Sequence, residues 1–158
     1  MIKRIGMTVI AVLAFSLAAQ AADMDSGTWV LNVAKSTSST GLQRSGKQVI
    51  SMDGGWMIVK NTGVDKDGNA FSGNLIGKTD GVARPGFGNG ITAGVAMLVT
   101  RTRSDDFHWK GVGIAITGKV RVTQVIVISP DGKVKTNTTT GVDQDGKAFN
   151  SVSVYDKQ

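Results

Sequence analysis

Pairs of aspartates come nearest to a chemical site in this chain. The pattern Gly-Val-Asp-x-Asp-Gly-x-Ala-Phe occurs twice, and it places Asp65 beside Asp67 and Asp143 beside Asp145. Two neighbouring carboxylates can act as acid and base in glycoside hydrolysis, and oxygen-rich loops suit Ca²⁺. Both functions need more than the pattern supplies, because a catalytic carboxyl must lose solvent to shift its pKa and a calcium loop needs further oxygen ligands. We therefore expect turns here, with no catalytic residue and no metal site.

The rest of the composition offers few parts for catalysis. The chain has no Cys and no Glu, and His108 is its single histidine. A nucleophile would have to be a Ser or Thr that uses this imidazole as its base. Asp105 and Asp106 lie close to His108 in the sequence, but acidic residues at that spacing are explained by turn formation. We expect no enzymatic activity and no cofactor.

The repeated pattern predicts antiparallel β-structure instead. Asp-Gly supplies the backbone angles of a tight hairpin, and the flanking Val and Phe suit a half-buried strand. No window of the chain from Ala22 onwards carries a sustained helical period, although residues 34–38 could form a short helical cap. Predicted strands cover residues 28–33, 47–52, 56–64, 70–78, 95–103, 107–113, 119–129, 133–142 and 148–155. The expected fold class is all-β, an antiparallel up-and-down β-barrel of about eight to ten strands or a closed sandwich.

The first 21 residues have the features of a cleavable signal peptide. Lys3 and Arg4 precede an apolar run from Ile5 to Leu17, and Ala19-Gln20-Ala21 fits the small-x-small cleavage pattern. The alternative is an N-terminal membrane anchor, but the run is short for a span of about 20 residues. We expect export of a single domain, residues 22–158, to the periplasm or the medium of a bacterium. Without Cys it carries no lipoprotein anchor and no disulfide.

Charge excludes one class of partner. The chain has 18 basic and 12 acidic residues, a net charge of +6, and the basic residues are scattered. Nucleic-acid binding would need a basic patch with interleaved aromatics. The densest groups, Arg101-Thr-Arg103 and Lys133-Val-Lys135, alternate as the solvent face of a strand does. We expect no nucleic-acid partner.

Alternation also predicts which side chains face a barrel interior. Phe107 and Trp109 share a face opposite His108 and Lys110. In a later strand Thr136 and Thr138 share a face opposite Lys135, which predicts a partly hydroxylic lumen; the alternative is the high strand propensity of Thr. The predicted ligand-binding residues are Met97, Phe107, Trp109, Thr136 and Thr138.

A glycine-rich stretch from Gly81 to Gly94 interrupts the strand pattern. It contains Arg84-Pro85-Gly86-Phe87, and we expect a mobile loop. As a portal over the barrel mouth, this loop would use Phe87 as an apolar closing element. The alternative is a surface loop without a function.

Both ends of the exported part resemble a known superfamily. The matching residues are Gly27-Thr28-Trp29, Leu31-Asn32 and Lys35-Ser36 at the start and Val154-Tyr155-Asp156-Lys157-Gln158 at the end. The opening resembles the first-strand GxW signature of calycins, and the whole is similar to small exported bacterial lipocalin-like proteins. The resemblance implies that Trp29 closes the base of the barrel beneath a cation from the last strand. Lys157 occupies that place, where lipocalins usually have Arg.

Two functional classes remain. The first is a protein that sequesters or carries a small apolar or amphipathic molecule in the cell envelope. The second is a protein-interaction module, such as an inhibitor of a secreted protease, which would need an exposed anchor in residues 22–26 or 81–94. An outer-membrane barrel is disfavoured because the chain has one Tyr and charges on strand faces that would meet lipid. We therefore expect a monomer without integral membrane insertion.

Overall fold

The computed structural model describes residues 23–87 and 95–158. The predicted signal peptide lies outside this part of the chain. The described residues form 11 β-strands in one sheet, with a single 3₁₀ turn at Val33–Lys35. The strands are β1 (Gly27–Leu31), β2 (Thr37–Ser38), β3 (Ser45–Asp53), β4 (Trp56–Val64), β5 (Ala70–Lys78), β6 (Arg84–Phe87), β7 (Ala96–Arg103), β8 (His108–Ala115), β9 (Arg121–Ile128), β10 (Val134–Val142) and β11 (Ala148–Lys157).

The sheet is an up-and-down barrel whose first and last strands meet. Its order is β5-β4-β3-β1-β11-β10-β9-β8-β7-β6, and the pairs are antiparallel. The contact of β1 with β11 pairs Trp29 with Lys157 and Leu31 with Tyr155. The two-residue β2 pairs with β11 off the main path. The predicted all-β barrel is confirmed.

One seam in the wall is only partly sealed. Among the described residues β5 pairs with β4 alone and β6 with β7 alone. The chain between them reaches β7 near its end, where Asp80 pairs with Thr102 and the Gly81 N–H donates to the Arg101 carbonyl at 2.8 Å. Beside this seam, an added Cβ at Gly73 would meet no atom within 4 Å. The wall is therefore joined across the seam at one end only.

The two copies of the repeat are hairpin turns, as predicted. Asp65 Oδ1 accepts the N–H groups of Asp67 and Asn69 at 2.9 and 2.8 Å. These donors, Asn69 first, hold the pKa of Asp65 below its ordinary value. Asp143 accepts from the corresponding amides of the second copy. The carboxylates are thus engaged in turn geometry, and no cluster of three metal-ligating side chains occurs among residues 23–87 and 95–158.

The Gly and Phe that bound each copy form a second contact. The Phe71 ring lies over Gly63 and the Phe149 ring over Gly141, so that an added Cβ would stand 2.8 Å from the ring in each case. Gly63 pairs with Phe71 across β4 and β5, and Gly141 with Phe149 across β10 and β11. The repeat therefore encodes a complete hairpin, with its turn and its packing. Both turns lie at the same end of the barrel, which we call the hairpin end.

The core lies at the opposite end, which we call the base. Its buried residues are Trp29, Leu31, Ile50, Met57, Val59, Trp109, Ile128 and Tyr155. A smaller cluster of Met97, Ala115 and Val120 lies at the hairpin end. No helix in the described ranges is long and apolar enough to cross a membrane.

Several local expectations are wrong. Residues 84–87 of the expected glycine-rich loop form β6, because their backbone pairs with β7, and residues 88–94 lie outside the description. The helical cap predicted for residues 34–38 is a 3₁₀ turn at Val33–Lys35, followed by β2.

The predicted facing of three basic residues is also wrong. Lys135 is 1% exposed, and it pairs with the buried Tyr155 on the neighbouring strand. Thr136 and Thr138, which alternate with it, therefore face outward beside the exposed Val127 and Val125. Arg101 and Arg103 likewise turn toward the interior. Lys135 and Arg103 each find aromatic and acidic partners inside the barrel.

Candidate functional site

Buried charge closes the base of the barrel. Lys135 Nζ donates to Asp25 Oδ1 at 3.2 Å and to Gln48 Oε1 at 2.8 Å. The same ammonium stands 4.7 Å from the Trp29 ring centroid and 5.4 Å from that of Tyr155. Burial, with a smaller contribution from the nearby Lys157 charge, lowers the pKa of Lys135 to about 8, against the opposing effect of Asp25. Beside its apolar core, the base thus holds a buried network of charged and polar side chains.

A second cation covers the same indole. Lys157 Nζ lies 5.0 Å from the Trp29 ring centroid and donates to the Met24 carbonyl at 3.0 Å. Trp29, which is fully buried, donates through Nε1 to the Asp25 carbonyl at 2.7 Å. This is the arrangement that the resemblance implied for Trp29 and Lys157. Sequence reasoning missed Lys135, because a lysine that alternates with Val and Thr has the pattern of a solvent-facing residue.

The segment at residues 23–26 is a plug at the base. Asp23 forms an ion pair with Arg103, and Asp25 is 1% exposed. Arg103 in turn lies 4.8 Å from the centroid of the Trp109 ring. The expectation of an exposed arm that could anchor a protease inhibitor is wrong for these residues, since their charged side chains are held in the barrel.

Arg101 is the cation of the interior that has no acidic partner. All 12 acidic residues of the sequence lie in the described ranges, and none is within 4.0 Å of its guanidinium. Burial lowers the pKa of Arg101 from its ordinary value, and arginine nonetheless stays protonated in proteins. A partly desolvated positive charge therefore stands in the wall without a counter-charge.

A small cavity adjoins Arg101. It measures about 20 Å³, room for about one water molecule. The rest of its lining is formed by Met57, Trp109, Lys110, Gly111, Gln124 and Ile126. Trp109 is 4% exposed, and its Nε1 donor has no hydrogen-bond partner among the described residues. The Arg101 guanidinium, an N–H donor without a partner among the described residues and apolar side chains thus meet at a single place.

A wider cleft opens at the hairpin end. It measures about 510 Å³, within the range of ligand pockets. Its lining is formed by Val95, Ala96, Ile116, Thr117, Lys119, Val120 and Gln144. Val120 belongs to the cluster with Met97, so the floor of the cleft is apolar core. Along β7 the inward residues Met97, Val99 and Arg101 lead from this cleft toward the small cavity.

The predicted ligand-binding residues are therefore placed differently from one another. Met97 and Trp109 are buried inside the barrel, and Phe107 packs against the base core. Thr136 and Thr138 lie on the outer face. Phe87 ends β6 by backbone pairing with Ala96, while the portal role predicted for its side chain falls outside the described part of the chain. Sequence reasoning missed Arg101 and Gln124. Only the spacing of Arg101 from Met97, which puts both side chains on the same face of β7, could have revealed Arg101.

His108 is on the outer face, as predicted. Its Nδ1 lies 2.8 Å from Asp105 Oδ1, and the two side chains are 53% and 52% exposed. Water competes for both groups of an exposed pair, so this contact contributes little beyond helping to hold the turn.

Comparison with solved structures finds the same fold. No model of a known protein family matches the chain, and no curated protein matches it. Among solved structures, 14 chains match. A fatty acid binding protein of Schistosoma mansoni in complex with arachidonic acid has a TM-score of 0.56 at 12% identity, over 86% of this chain and 98% of that chain.

Two further structures are similar over a comparable length. Zebrafish ileal bile acid-binding protein complexed with cholic acid has a TM-score of 0.52 at 10% identity, over 85% of this chain and 99% of that chain. As-p18, an extracellular fatty acid binding protein, has a TM-score of 0.52 at 10% identity, over 86% of this chain and 97% of that chain. Similarity at these identities shows the fold, an antiparallel β-barrel, and leaves function to the residues of the site.

Proposed function

We propose that this protein binds a small amphipathic molecule with an anionic head group and sequesters or carries it without chemical change. The observation that carries the proposal is Arg101, an interior guanidinium for which the chain provides no carboxylate. A partly desolvated cation without a counter-charge is unfavourable, so an anionic ligand would gain a charge-assisted hydrogen bond there. Carboxylate, sulfate and phosphate groups all fit the planar fork of an arginine.

The surroundings suit the rest of such a ligand. Met57 and Ile126 offer apolar contact beside Arg101, and Trp109 offers an unused N–H donor. The cavity of about 20 Å³ is smaller than any amphiphile. Binding therefore requires side chains to move, and Met57 is the natural one because its unbranched chain adapts readily. Open space at Gly73 and the apolar floor of the cleft supply room for a tail.

The similar structures are consistent with this ligand class. Two of them hold arachidonic acid and cholic acid, both of which are carboxylic acids with large apolar surfaces. The partners named for those proteins support binding of a small molecule over catalysis. In this chain the exposed position of His108 supports the same choice, since a general base works best when it is partly desolvated.

Export belongs to the proposal as well. The basic and apolar pattern of the first 21 residues supports a signal peptide and a periplasmic or secreted location. Native mass spectrometry of protein purified from the envelope or medium of its own host tests both parts. We expect a mass that begins at Ala22 and a small anionic adduct that is lost on denaturation. A chain that retains Met1 would contradict export, and a bare mass would direct the search to exogenous ligands.

The decisive binding experiment compares ligands that differ only in charge. The anionic dye anilinonaphthalene sulfonate serves as the probe, displaced by a long-chain carboxylic acid or by the primary alcohol of equal length. We expect the acid to compete at least about tenfold better, because charge-assisted hydrogen bonds contribute about 1.5–3 kcal/mol. Arg101→Leu should abolish this difference, and Arg101→Lys should retain part of it.

Controls separate binding from folding. Arg121→Leu removes an exposed basic residue from the outer face of β9 and should leave the preference for the acid unchanged. Gly73→Leu should fill the open space beside the seam and weaken both competitors. Equal displacement by acid and alcohol in the wild-type protein would contradict the assignment of Arg101, and the absence of any binding would contradict the proposed function.

A further inference from the structure

The outer wall formed by β3, β4 and β5 exposes an unusual amount of apolar surface. Val49 is 42% exposed, Trp56 43%, Ile58 42% and Ile76 64%. All four belong to the outward positions of their strands, which alternate with the buried Ile50, Met57 and Val59. We call the group Val49, Trp56, Ile58 and Ile76 the outer patch.

The pairing register makes the outer patch continuous. Ile58 stands directly opposite Ile76. Trp56 is the next outward residue of β4, and it stands opposite Lys78. On the other side Ile58 faces Ser51, so Val49 is its diagonal neighbour across β3 and β4. Diagonal neighbours on one face of a sheet are close enough for long side chains to touch. Four apolar side chains thus form one surface on three adjacent strands.

Lysines surround this surface. Lys60 pairs with Val49, Lys78 pairs with Trp56, and Lys47 lies beyond them on β3. Among the outward residues of these strands Asp53 is the acidic one. Asp80 is nearby, where Arg84 binds both of its oxygens at 2.6 and 2.7 Å and Lys78 Nζ stands 4.0 Å from Oδ2, so that the two cations together outweigh its charge. The wall therefore combines an apolar centre with a net positive rim.

We infer that the outer patch docks onto the surface of a bilayer that contains anionic lipids. Trp is favoured at the level of the lipid head groups, and Lys can bury its methylene chain while its ammonium reaches the phosphates. Apolar residues with a basic rim bind membranes by two additive effects, burial of the apolar side chains and attraction to anionic head groups. The positive rim of the outer patch thus identifies an anionic lipid surface as its partner.

A second copy of this chain fits the same surface poorly. A symmetric contact would place identical surfaces against each other, and Lys47, Lys60 and Lys78 would then oppose their own copies. Like charges at such a contact are unfavourable. An anionic lipid surface removes this repulsion, because each ammonium gains a phosphate partner.

The outer patch lies next to the partly open seam of the barrel. β5 forms one margin of the outer patch and also one side of the seam at which it pairs with β4 alone. A protein docked through this wall would bring the seam close to the bilayer, where amphipathic molecules are dissolved. The inference goes beyond the proposed function and does not depend on it, because no residue of the outer patch lines the interior cavity.

The tryptophans make the test direct. Trp29 is 0% and Trp109 4% exposed, whereas Trp56 is 43% exposed, so a fluorescence change on docking reports Trp56. The full chain without its first 21 residues is mixed with vesicles of phosphatidylcholine alone or with added phosphatidylglycerol. We expect flotation with the anionic vesicles, a blue shift, and quenching by lipids brominated on their chains. The neutral vesicles should bind at least about tenfold more weakly.

Matched variants separate this patch from the general basic charge. Lys60→Glu with Lys78→Glu should lower the partition coefficient by more than about tenfold, and Ile76→Ser by about threefold or more. Lys133→Glu and Leu98→Ser change exposed residues elsewhere on the barrel and should leave partition nearly unchanged. Dye binding in the interior should survive in every variant, so that failure of docking and failure of the proposed function are distinguishable.

Three results would overturn the inference. One is equal binding to neutral and anionic vesicles, or to neither. Another is an equal loss of partition in the Lys133→Glu control, which would indicate attraction by overall charge. The third is a concentration-dependent dimer that Ile76→Ser abolishes, which would assign the outer patch to a second copy of the chain.

Discussion

The base and the hairpin end of the barrel are closed by different interactions. At the base, Lys135 and Asp25 are buried together, and Arg103 joins Asp23 of the plug. At the hairpin end, closure rests on the small cluster of Met97, Ala115 and Val120 and on Phe rings packed over glycines. Opening the base would separate buried charges, whereas these contacts at the hairpin end are apolar. We therefore expect the hairpin end to open more easily than the base, as entry of the proposed ligand would require.

The largest effect should follow from breaking the buried pair at the base. Asp25→Ala leaves the Lys135 ammonium buried without its carboxylate, at 2% side-chain exposure. Loss of one partner of a buried ion pair costs about 3–5 kcal/mol. We expect a loss of this size in the free energy of unfolding, measured by urea denaturation.

The double variant sharpens that result. Lys135→Met combined with Asp25→Ala should cost much less than the sum of the single changes, because no unpaired charge remains. Lys133→Met, an exposed change on the same segment, should stay within about 0.5 kcal/mol of the wild type. Additive costs in the double variant would show that the two charges are not coupled.

A medium effect should follow at the hairpin end from added methyl groups. An added Cβ at Gly63 would stand 2.4 Å from the Ser45 carbonyl oxygen, and one at Gly141 the same distance from that of Arg121. Neither backbone oxygen can move freely, so Gly63→Ala and Gly141→Ala should each cost about 1–3 kcal/mol.

Gly73→Ala is the matched control for these changes, since its Cβ meets nothing within 4 Å. It should be neutral or slightly stabilising, because alanine restricts the unfolded chain more than glycine does. Thermal unfolding checks the order of the three variants. Equal stability of Gly63→Ala and Gly73→Ala would show that the backbone at the hairpin end moves readily to accommodate the added methyl group.

The last effect is a dependence on pH that belongs to the base alone. Burial lowers the pKa of Lys135 from 10.5 to about 8, so between these values the unfolded chain binds more protons than the folded one. Stability should therefore rise with pH in that window, by at most about 1.4 kcal/mol per pH unit. Burial raises the pKa of Tyr155 from 10.0 to about 12. Above pH 10 the folded chain therefore binds more protons than the unfolded chain, and through this group stability falls as the pH rises.

Urea denaturation between pH 7 and about 11 checks both signs. Lys135→Met should lose the rise above pH 8 and keep the fall above pH 10. Tyr155→Phe should keep the rise and lose the fall. A wild-type curve that decreases steadily from pH 8 would contradict the lowered pKa of Lys135.

The sequence predicted most strands because their boundaries are local. β4 and β5 agree with the predicted residues 56–64 and 70–78, since Asp-Gly turns and alternating apolar residues act over a few positions. β6 was missed because Arg84-Pro85-Gly86-Phe87 has no strand pattern of its own, and it becomes a strand only by pairing with β7.

The candidate site was less predictable than the fold. Arg101, Arg103 and Lys135 alternate with Thr and Val as solvent-facing residues do, and the rule that charges face water assigned all three outward. Their inward position depends on partners distant in the sequence: Asp23 and Trp109 for Arg103, and Asp25 and Trp29 for Lys135. No local pattern carries that information.

By itself, the sequence determined that this protein is an antiparallel barrel with two matched hairpins and a tryptophan in its first strand. These features follow from backbone angles and alternation, which are properties of neighbouring residues. Only the tertiary structure decided which face of each strand is interior. That choice depends on the pairing of a strand with distant strands, where a shift of one residue exchanges the two faces. The same pairing placed Arg101 without a counter-charge inside the barrel and gathered Trp56, Ile58 and Ile76 on its outside.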